Sequence, residues 1–281
     1  MDIRFWGTRG SIAAPGQSTV EFGGNTSCVE VVSASGERFV IDAGTGIRGL
    51  GDYLLESGQS LQLTLLLTHN HWDHVLGMPF FKPIYLENTQ IDVDGCPKGF
   101  YGLAAIFDDR KGNGFFPVAF DDLKAQIRYL DVLTRGPLTI GNVVIEGIEL
   151  NHPQGGMGFR FREDEKSFVF MTDNELRANG PVGRRLDDYA FFAQGCDLLI
   201  HDAQYLPKEI SSHRGWGHST YIDAIRLALA SGIHRLIFFH HDPCRTDRQI
   251  RDMEKRARQY VKEQQAQLEV SAAREGEIIH L

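Results

Sequence analysis

The chain has 281 residues, 42% of them hydrophobic, which is sufficient for the core of one large domain. Its 29 basic and 37 acidic residues give a formal net charge of −8, which argues against a broad binding surface for long nucleic acid. No apolar run approaches the roughly 20 residues of a membrane span, and no signal peptide is recognisable at the beginning, so we expect a cytoplasmic protein without a membrane partner. The four cysteines contain no Cys-x-x-Cys pair and are expected to remain thiols.

The first part of the chain alternates predicted strands with glycine-containing loops. Strands are expected at Ile3–Trp6, Cys28–Ser33 and Arg38–Ile41. The loop after the first strand carries Arg9, which can face a functional site or belong to an ordinary turn. Asn25, shortly before the second strand, can donate to an anion or close an Asx turn. Both side chains are therefore candidates for substrate contacts.

The densest group of metal-competent side chains comes after a predicted helix at Ile47–Leu55 and a buried strand at Leu61–Leu67. The strand runs into the string Thr-His-Asn-His-Trp-Asp-His, whose candidate ligands are His69, His71, Asp73 and His74. Because alternate side chains share a face of an extended chain, the first two histidines can point to one metal while the loop turns the other two residues toward a second. Imidazoles combined with a carboxylate suit zinc, manganese or iron in a hydrolytic site.

This string at the end of a core strand resembles the metallo-β-lactamase superfamily. The resemblance implies an α/β fold, the four-layer αββα sandwich, spanning residues 1–281 as a single domain. It also implies three later ligands at the ends of further strands, and Val143–Leu150, Ser167–Met171 and Leu236–Phe239 are followed by candidates for them. These candidates are His152, Asp173 and His240.

The family's ligand order, carried over to this chain, implies two metal ions. One would be held by His69, His71 and His152, the other by Asp73, His74 and His240, with Asp173 as the bridge. Asp42, at the end of a strand, would support the histidine loop from behind without binding metal. The resemblance favours zinc, with manganese as the competitor for this ligand set.

The segment at about 88–135 is expected to be an insertion over the active-site face. Within it, residues 92–116 are rich in glycine, aspartate and aromatic residues and have weak periodicity. Such a segment can shape a substrate pocket, form a dimer contact or lie in solvent. Its aromatic side chains, which include Phe100, Tyr101, Phe107, Phe115 and Phe116, can stack on a base or belong to the core.

The segment before a predicted helix near residue 222 contains His218-Ser219-Thr220, and Thr220 with Asp223 has the pattern of a capping box. His218 can therefore cap the helix or face an anion at its amino terminus. The phosphodiesterase branch of the superfamily, which includes ribonuclease Z and the phosphoribosyl cyclic phosphodiesterases, has a similar segment here. That resemblance implies His218 as a general acid and Asp202 as the carboxylate that holds it protonated. The predicted catalytic residues are His218, Asp73 and Asp202, and the predicted substrate contacts are Arg9, Asn25 and Ser219.

The reaction implied is hydrolysis of a small cyclic phosphodiester, either a cyclic mononucleotide or a phosphoribosyl cyclic phosphate, by metal-bound hydroxide with His218 as proton donor. Only 21 positions separate His152 from Asp173, which leaves no room for the transfer-RNA arm of ribonuclease Z and makes an RNA endonuclease the alternative. The cysteines do not reproduce the additional zinc site of the phosphoribosyl enzymes. A thioester hydrolase of glyoxalase II type and a non-catalytic nucleotide-binding sensor also stay open, and relatives suggest a homodimer.

Overall fold

Two mixed β-sheets lie face to face in the computed structural model, which describes residues 1–56, 58, 60–96, 99–107, 116–176 and 184–281, with Phe100 as backbone only. The strands in chain order are β1 Asp2–Gly7, β2 Cys28–Val32, β3 Arg38–Ile41, β4 Leu61–Leu67, β5 Thr89–Gly95, β6 Gln126–Tyr129, β7 Leu138–Ile140, β8 Val143–Glu149, β9 Met157–Glu163, β10 Lys166–Met171, β11 Leu198–Asp202, β12 Arg235–Phe239, β13 Glu269–Ala272 and β14 Ile278–His280. The first sheet has the order β14-β1-β2-β3-β4-β5-β6, and the second has the order β13-β12-β11-β10-β9-β8-β7.

The two sheets have the same mixed topology. In the first sheet the pairs from β14 to β3 are antiparallel and those from β3 to β6 are parallel. In the second sheet the pairs from β7 to β10 are antiparallel and those from β10 to β13 are parallel. Parallel neighbours bring their carboxyl ends to the same edge of a sheet, so both sheets collect strand-end residues there.

Helices cover the outer face of each sheet, and together the described residues form four layers. The helices are α1 Ile47–Leu55, α2 Trp72–Val75, α3 Gly99–Ala105, α4 Leu186–Ala193, α5 Tyr221–Ala230 and α6 Asp247–Glu263. Short 3-10 turns occur at Gln17–Thr19, Met78–Phe80, Lys82–Tyr85, Phe120–Asp122 and Ile210–Ser212. The αββα sandwich expected from the sequence is confirmed, as is the capping box that begins α5 at Thr220. No helix in these described ranges is long and apolar enough to cross a membrane.

Aromatic side chains fill the space between the sheets. Phe39 of the first sheet meets Phe161 of the second edge to face at 5.6 Å, and Phe161 stacks on Phe168 at 4.7 Å. All three rings are completely buried, and each contributes about 1.5–3 kcal/mol relative to an exposed side chain. This core fixes the two sheets against each other and therefore fixes the relative positions of their strand ends.

Part of the segment predicted as an insertion belongs to the first sheet. Thr89–Gly95 pairs with β4 in parallel, and Gln126–Tyr129 pairs with β5. Phe107 is 2% exposed and packs edge to face on Phe116 and Phe120, so these rings serve the core. Tyr101 is 74% exposed. Phe115, the Phe100 side chain and the rest of residues 108–115 lie outside the described residues, so the expected role of that stretch stays a prediction.

Candidate metal centre

The strand ends gather the predicted ligands at one edge of the sandwich. His69 follows β4, Asp173 follows β10 and His240 follows β12. Three strand-end residues, Asp42, Asp173 and His240, have φ between 57° and 64°, a region that non-glycine residues seldom adopt. Such conformations cluster at functional sites, where the surrounding structure enforces them. Here they turn the side chains into the gap between the sheets.

One group of ligand atoms comes from His69, His71, His152 and Asp173, all within 4.8 Å of one another. The Nδ1 atom of His71 lies 3.1 Å from the Nε2 atom of His152. The Nε2 atom of His69 lies 3.7 Å from a carboxylate oxygen of Asp173. This is the set that the sequence assigned to the first metal and its bridge.

The second group consists of Asp73, His74 and His240. Asp73 Oδ2 lies 3.1 Å from the Nε2 atoms of both histidines, and those two nitrogens are 3.3 Å apart. The other oxygen of Asp173, Oδ2, lies 3.3 Å from each of the same nitrogens. Asp173 therefore faces both groups, one oxygen to each, as the predicted bridging role requires.

The outer ring nitrogens of His69 and His71 have oxygen acceptors. Thr68 Oγ1 lies 3.1 Å from Nδ1 of His69, and the Gln154 side-chain oxygen contacts Nε2 of His71. A proton on each outer nitrogen satisfies these contacts and leaves the inner nitrogen with a lone pair toward the site. The inner Nε2 of His69 has no hydrogen-bond partner among the described residues.

The spacing of the inner nitrogens fits a metal ion. Two nitrogens that bind one tetrahedral zinc at about 2.0–2.1 Å are about 3.3 Å apart. The facing pairs His71–His152 and His74–His240 are separated by 3.1 and 3.3 Å. Burial lowers the pKa of His152 to about 4, so this ring is neutral at neutral pH, the form that coordinates metal. The side chains in both groups are therefore suited to hold a divalent cation.

Asp42, predicted to support the histidine loop, contacts both the start of that loop and His74. Its carboxylate is fully buried and accepts hydrogen bonds from the Thr68 backbone N–H at 2.9 Å, the Thr68 hydroxyl at 2.9 Å and the Ser27 hydroxyl at 2.9 Å. It also accepts from Nδ1 of His74 at 2.7 Å. These bonds fix the start of the loop and the orientation of one predicted ligand.

Two glutamines that sequence reasoning did not identify hold further ligands. Gln204 Oε1 lies 2.8 Å from Nδ1 of His240, and Gln154 contacts His71 as described. Partners of this kind orient metal-binding imidazoles and tune their basicity. The only local signal was position, because Gln204 closely follows the end of β11 and Gln154 closely follows His152.

His218 lies beside both groups. Its Nδ1 atom is 3.4 Å from Asp202 Oδ2 and 3.8 Å from Asp173 Oδ1. Burial by itself would lower the pKa of His218, but the neighbouring carboxylates outweigh it, with Asp202 first, and the pKa is raised. Asp202 is itself held by the backbone N–H groups of Asn174 and Ser219 at 2.9 and 2.8 Å. The predicted pair is thus assembled at the site.

The side chains of the three predicted substrate contacts form hydrogen bonds within the fold instead. Arg9 is fully buried and donates to the carbonyl oxygens of Gly23, Asp242 and Arg245, so the prediction that it faces a substrate is wrong. A buried guanidinium satisfies its donors with carbonyl oxygens rather than reaching for a ligand.

Ser219 and Asn25 also serve the fold. The Ser219 hydroxyl donates to the Asn174 carbonyl at 2.6 Å and accepts from the Leu176 N–H at 3.0 Å. The Asn25 amide donates to Glu275 at 3.1 Å and accepts from the Thr45 hydroxyl at 3.1 Å. Both side chains are committed to loop contacts, and we remove them from the candidate site.

A family model described as the beta-lactamase superfamily domain matches residues 37–241. The chain belongs to the metallo-β-lactamase superfamily. The resemblance inferred from the histidine string is therefore confirmed, and the chain is a metal-dependent hydrolase of that superfamily.

Relatives and solved structures extend the likeness over the whole fold. A ribonuclease Z of Bradyrhizobium sp. (strain ORS 278) is 25% identical over 75% of this chain and 82% of its own length. A ribonuclease Z of Gemmatimonas aurantiaca is 26% identical over 91% and 90%. The metallo-β-lactamase fold protein YhfI of Bacillus subtilis superposes with a TM-score of 0.71 at 16% identity, covering 99% of this chain and 98% of its own. Unliganded yeast PDE1 superposes with a TM-score of 0.72 at 15% identity, covering 100% and 99%. The two solved structures share the fold.

Proposed function

We propose that this chain hydrolyses phosphodiester bonds and that its substrate is a small cyclic phosphodiester. The observation that carries the proposal is the position of His218, outside both ligand groups but 3.8 Å from the carboxylate that faces them, with Asp202 3.4 Å behind it. A hydrolase that expels an alkoxide needs a proton donor at this place, whereas thioester hydrolysis expels a thiolate that needs none.

The chain's own residues divide the work. Two divalent ions, when bound by the two groups, would supply a nucleophile from water and neutralise charge on the phosphoryl oxygens. Asp202 Oδ2 lies 3.4 Å from Nδ1 of His218 and would hold a proton there, which leaves Nε2 to give a proton to the departing oxygen. Asp73 would complete the second group, and its Oδ2 also accepts from the Ser11 N–H at 2.7 Å. We therefore expect the proton donor and the ligands to be held in position before substrate binds.

The chain between His152 and Asp173 favours a small substrate. It consists of a short loop followed by the hairpin of β9 and β10, whose strands are separated only by Asp164 and Glu165. No arm that could hold a folded RNA projects from it. The alignment to the Bradyrhizobium relative runs over 255 residues yet covers only 75% of this chain, so that relative contains segments that this chain lacks.

An RNA endonuclease is the second candidate. It is favoured by the relatives that carry the name ribonuclease Z, which match up to 91% of this chain among those described above. The metal groups and His218 would serve that reaction equally well, because both reactions break a P–O bond of a phosphodiester. The two candidate functions differ in which part of the protein binds the portion of the substrate that lies far from the metals.

The test is turnover of a substrate panel by the purified chain loaded separately with zinc and with manganese. The panel contains cyclic mononucleotides, a phosphoribosyl cyclic phosphate, bis(p-nitrophenyl) phosphate, a precursor transfer RNA and a thioester. Hydrolysis of the cyclic compounds that stops with chelator supports the proposal and identifies the working metal. Processing of the RNA without cyclic turnover would establish the second candidate, and thioester cleavage or nucleotide binding without turnover would refute both.

His218→Ala separates the proton donor from the metals. We expect a fall of about 100-fold or more with cyclic mononucleotides, whose alkoxide leaving groups need a proton, and a small effect with bis(p-nitrophenyl) phosphate, whose leaving group does not. His280→Ala, at an exposed position on β14, is the matched control. Equal losses on both substrates would remove the donor role. The homodimer and the cytoplasmic location stay predictions, which sedimentation and fractionation can test.

A further inference from the structure

A cavity of about 400 Å³ opens at the metal-bearing edge of the sandwich, between the two sheets. The first sheet's side is set by the ends of β4 and β5, where the Cys96 N–H donates to the Leu67 carbonyl at 2.8 Å. The second sheet contributes the turn around β8 and β9, where the Met157 N–H donates to the Thr68 carbonyl at 2.9 Å. Strand ends that precede predicted ligands thus border the cavity, and loop residues complete its lining.

Gln154 connects this cavity to the metal centre. The residue lines the cavity, and its side-chain oxygen contacts Nε2 of His71. Thr68, whose carbonyl fixes Met157 at the cavity wall, directly precedes His69. The cavity wall and the metal centre therefore share Gln154, and the chain passes from one to the other between Thr68 and His69.

The lining describes the group that would fit. Leu133 and Met157, 5% and 9% exposed, supply an apolar wall. Thr134 and Gln154 supply neutral hydrogen-bonding groups, while Glu149 and Arg184 bring one negative and one positive charge, which cancel. A cavity with no net charge does not favour a second phosphate. A mixed apolar and polar lining of this volume is typical of sites for small organic molecules.

We propose that this cavity binds the nucleoside part of the phosphodiester while the phosphate is held at the metal centre. This inference rests on the proposed function and names its substrate class as nucleotides. The base packs on the wall formed by Leu133 and Met157, and the ribose hydroxyls donate to Glu149. Thr134 is the specificity-determining position, because it lines the cavity from an exposed loop that contains no predicted ligand.

Thr134→Trp tests the proposal by filling the cavity. For cyclic AMP and cyclic GMP we expect KM to rise by about 10-fold or more, with kcat/KM for bis(p-nitrophenyl) phosphate, which has no nucleoside, unchanged within 2-fold. Thr139→Trp adds the same side chain at an exposed position on β7 and should change neither. Metal content is measured for each variant, because a loss of metal would lower both activities. Equal effects on the two substrate types, or none, would overturn the proposal.

Saturation-transfer NMR measures the binding of adenosine and guanosine, which makes this test independent of turnover. Signals that Thr134→Trp abolishes and Thr139→Trp retains support the cavity even if no phosphodiester is hydrolysed, in which case only the proposed function fails. Cyclic nucleotide turnover that Thr134→Trp leaves unchanged refutes the cavity and leaves the function standing. Glu149→Gln, which removes a charge at an exposed position without adding volume, provides a second variant and should weaken nucleoside binding.

Discussion

Asp42→Asn should weaken both the fold and the metal centre, although it changes only one atom of a side chain outside the ligand set. One carboxylate oxygen accepts from the Thr68 N–H and the Thr68 hydroxyl, and the other accepts from Nδ1 of His74 and the Ser27 hydroxyl. An amide group must turn its NH₂ toward one of these two pairs of donors. Asparagine tolerates the φ of 64° at this position, so backbone strain does not contribute.

The expected cost follows from the hydrogen bonds lost. Asp42→Asn removes two hydrogen bonds to a charged acceptor, each worth about 1.5–3 kcal/mol. In their place the amide NH₂ faces two other hydrogen-bond donors at a fully buried position. The free energy of unfolding should therefore fall by at least about 3 kcal/mol. Because the neutral amide either loses the Nδ1 proton of His74 or holds it more weakly than the carboxylate does, metal affinity should fall by about 10- to 100-fold.

Urea unfolding in the presence of a chelator measures the first effect without a contribution from metal binding. Competition with a chromophoric chelator measures the second. Ser27→Ala removes only one of the hydrogen bonds and should cost about 1 kcal/mol. If Asp42→Asn keeps the stability and the metal affinity of the unmodified chain, the supporting role of this carboxylate is wrong.

Three further experiments test other parts of the structure. Gly217→Ala places a Cβ 1.9 Å from Nδ1 of His152, so we expect at least a 10-fold loss of metal affinity. The control Gly215→Ala has a similar positive φ but open space around its Cβ, and it should keep the metal affinity. Equal affinities of the two variants would contradict the close packing at Gly217. Arg9→Met should lower the free energy of unfolding, measured in urea, by about 3 kcal/mol, because buried carbonyl oxygens lose their donors. A raised KM at unchanged stability would restore Arg9 as a substrate contact. Ellman's reagent at pH 8 should label Cys244 alone in the folded protein, because the other three thiols are buried, and more than one fast-reacting thiol would show a looser core.

The structure brings the predicted ligands together at one edge, and several of them closely follow a strand with a recognisable apolar pattern. His69, Asp173 and His240 are all of this kind, and parallel pairing then brings their strand ends to one edge. Asp42, whose supporting role was implied by the resemblance to the superfamily, directly follows β3 and contacts the histidine loop. A local sequence pattern of this kind therefore predicts where the residue lies in the folded chain.

Weakly patterned elements were missed or misplaced. Gln126–Tyr129 alternates only between exposed and half-buried residues, and Leu138–Ile140 has three residues, so neither has a strong apolar signal. Thr89–Gly95 was taken for part of an insertion because aspartates interrupt its apolar residues. One of these, Asp94, is buried and accepts from the backbone N–H of Val132. Pairing with a neighbouring strand, rather than intrinsic preference, makes these segments β-strands.

The amino-acid sequence was enough to predict the fold class, a candidate ligand set and the place of His218 before a capped helix, because the histidine string and the capping box are short local motifs that carry the family resemblance. Three features became visible only in the folded chain: the direction of Arg9, the contact of Gln204 with His240, and the place of Gln154 between the metal centre and a cavity. Each of these depends on partners 36 to more than 200 positions away in the chain, or on two sheets meeting. A contact between distant segments has no local period or motif, since it is created when the aromatic core fixes the sheets against each other.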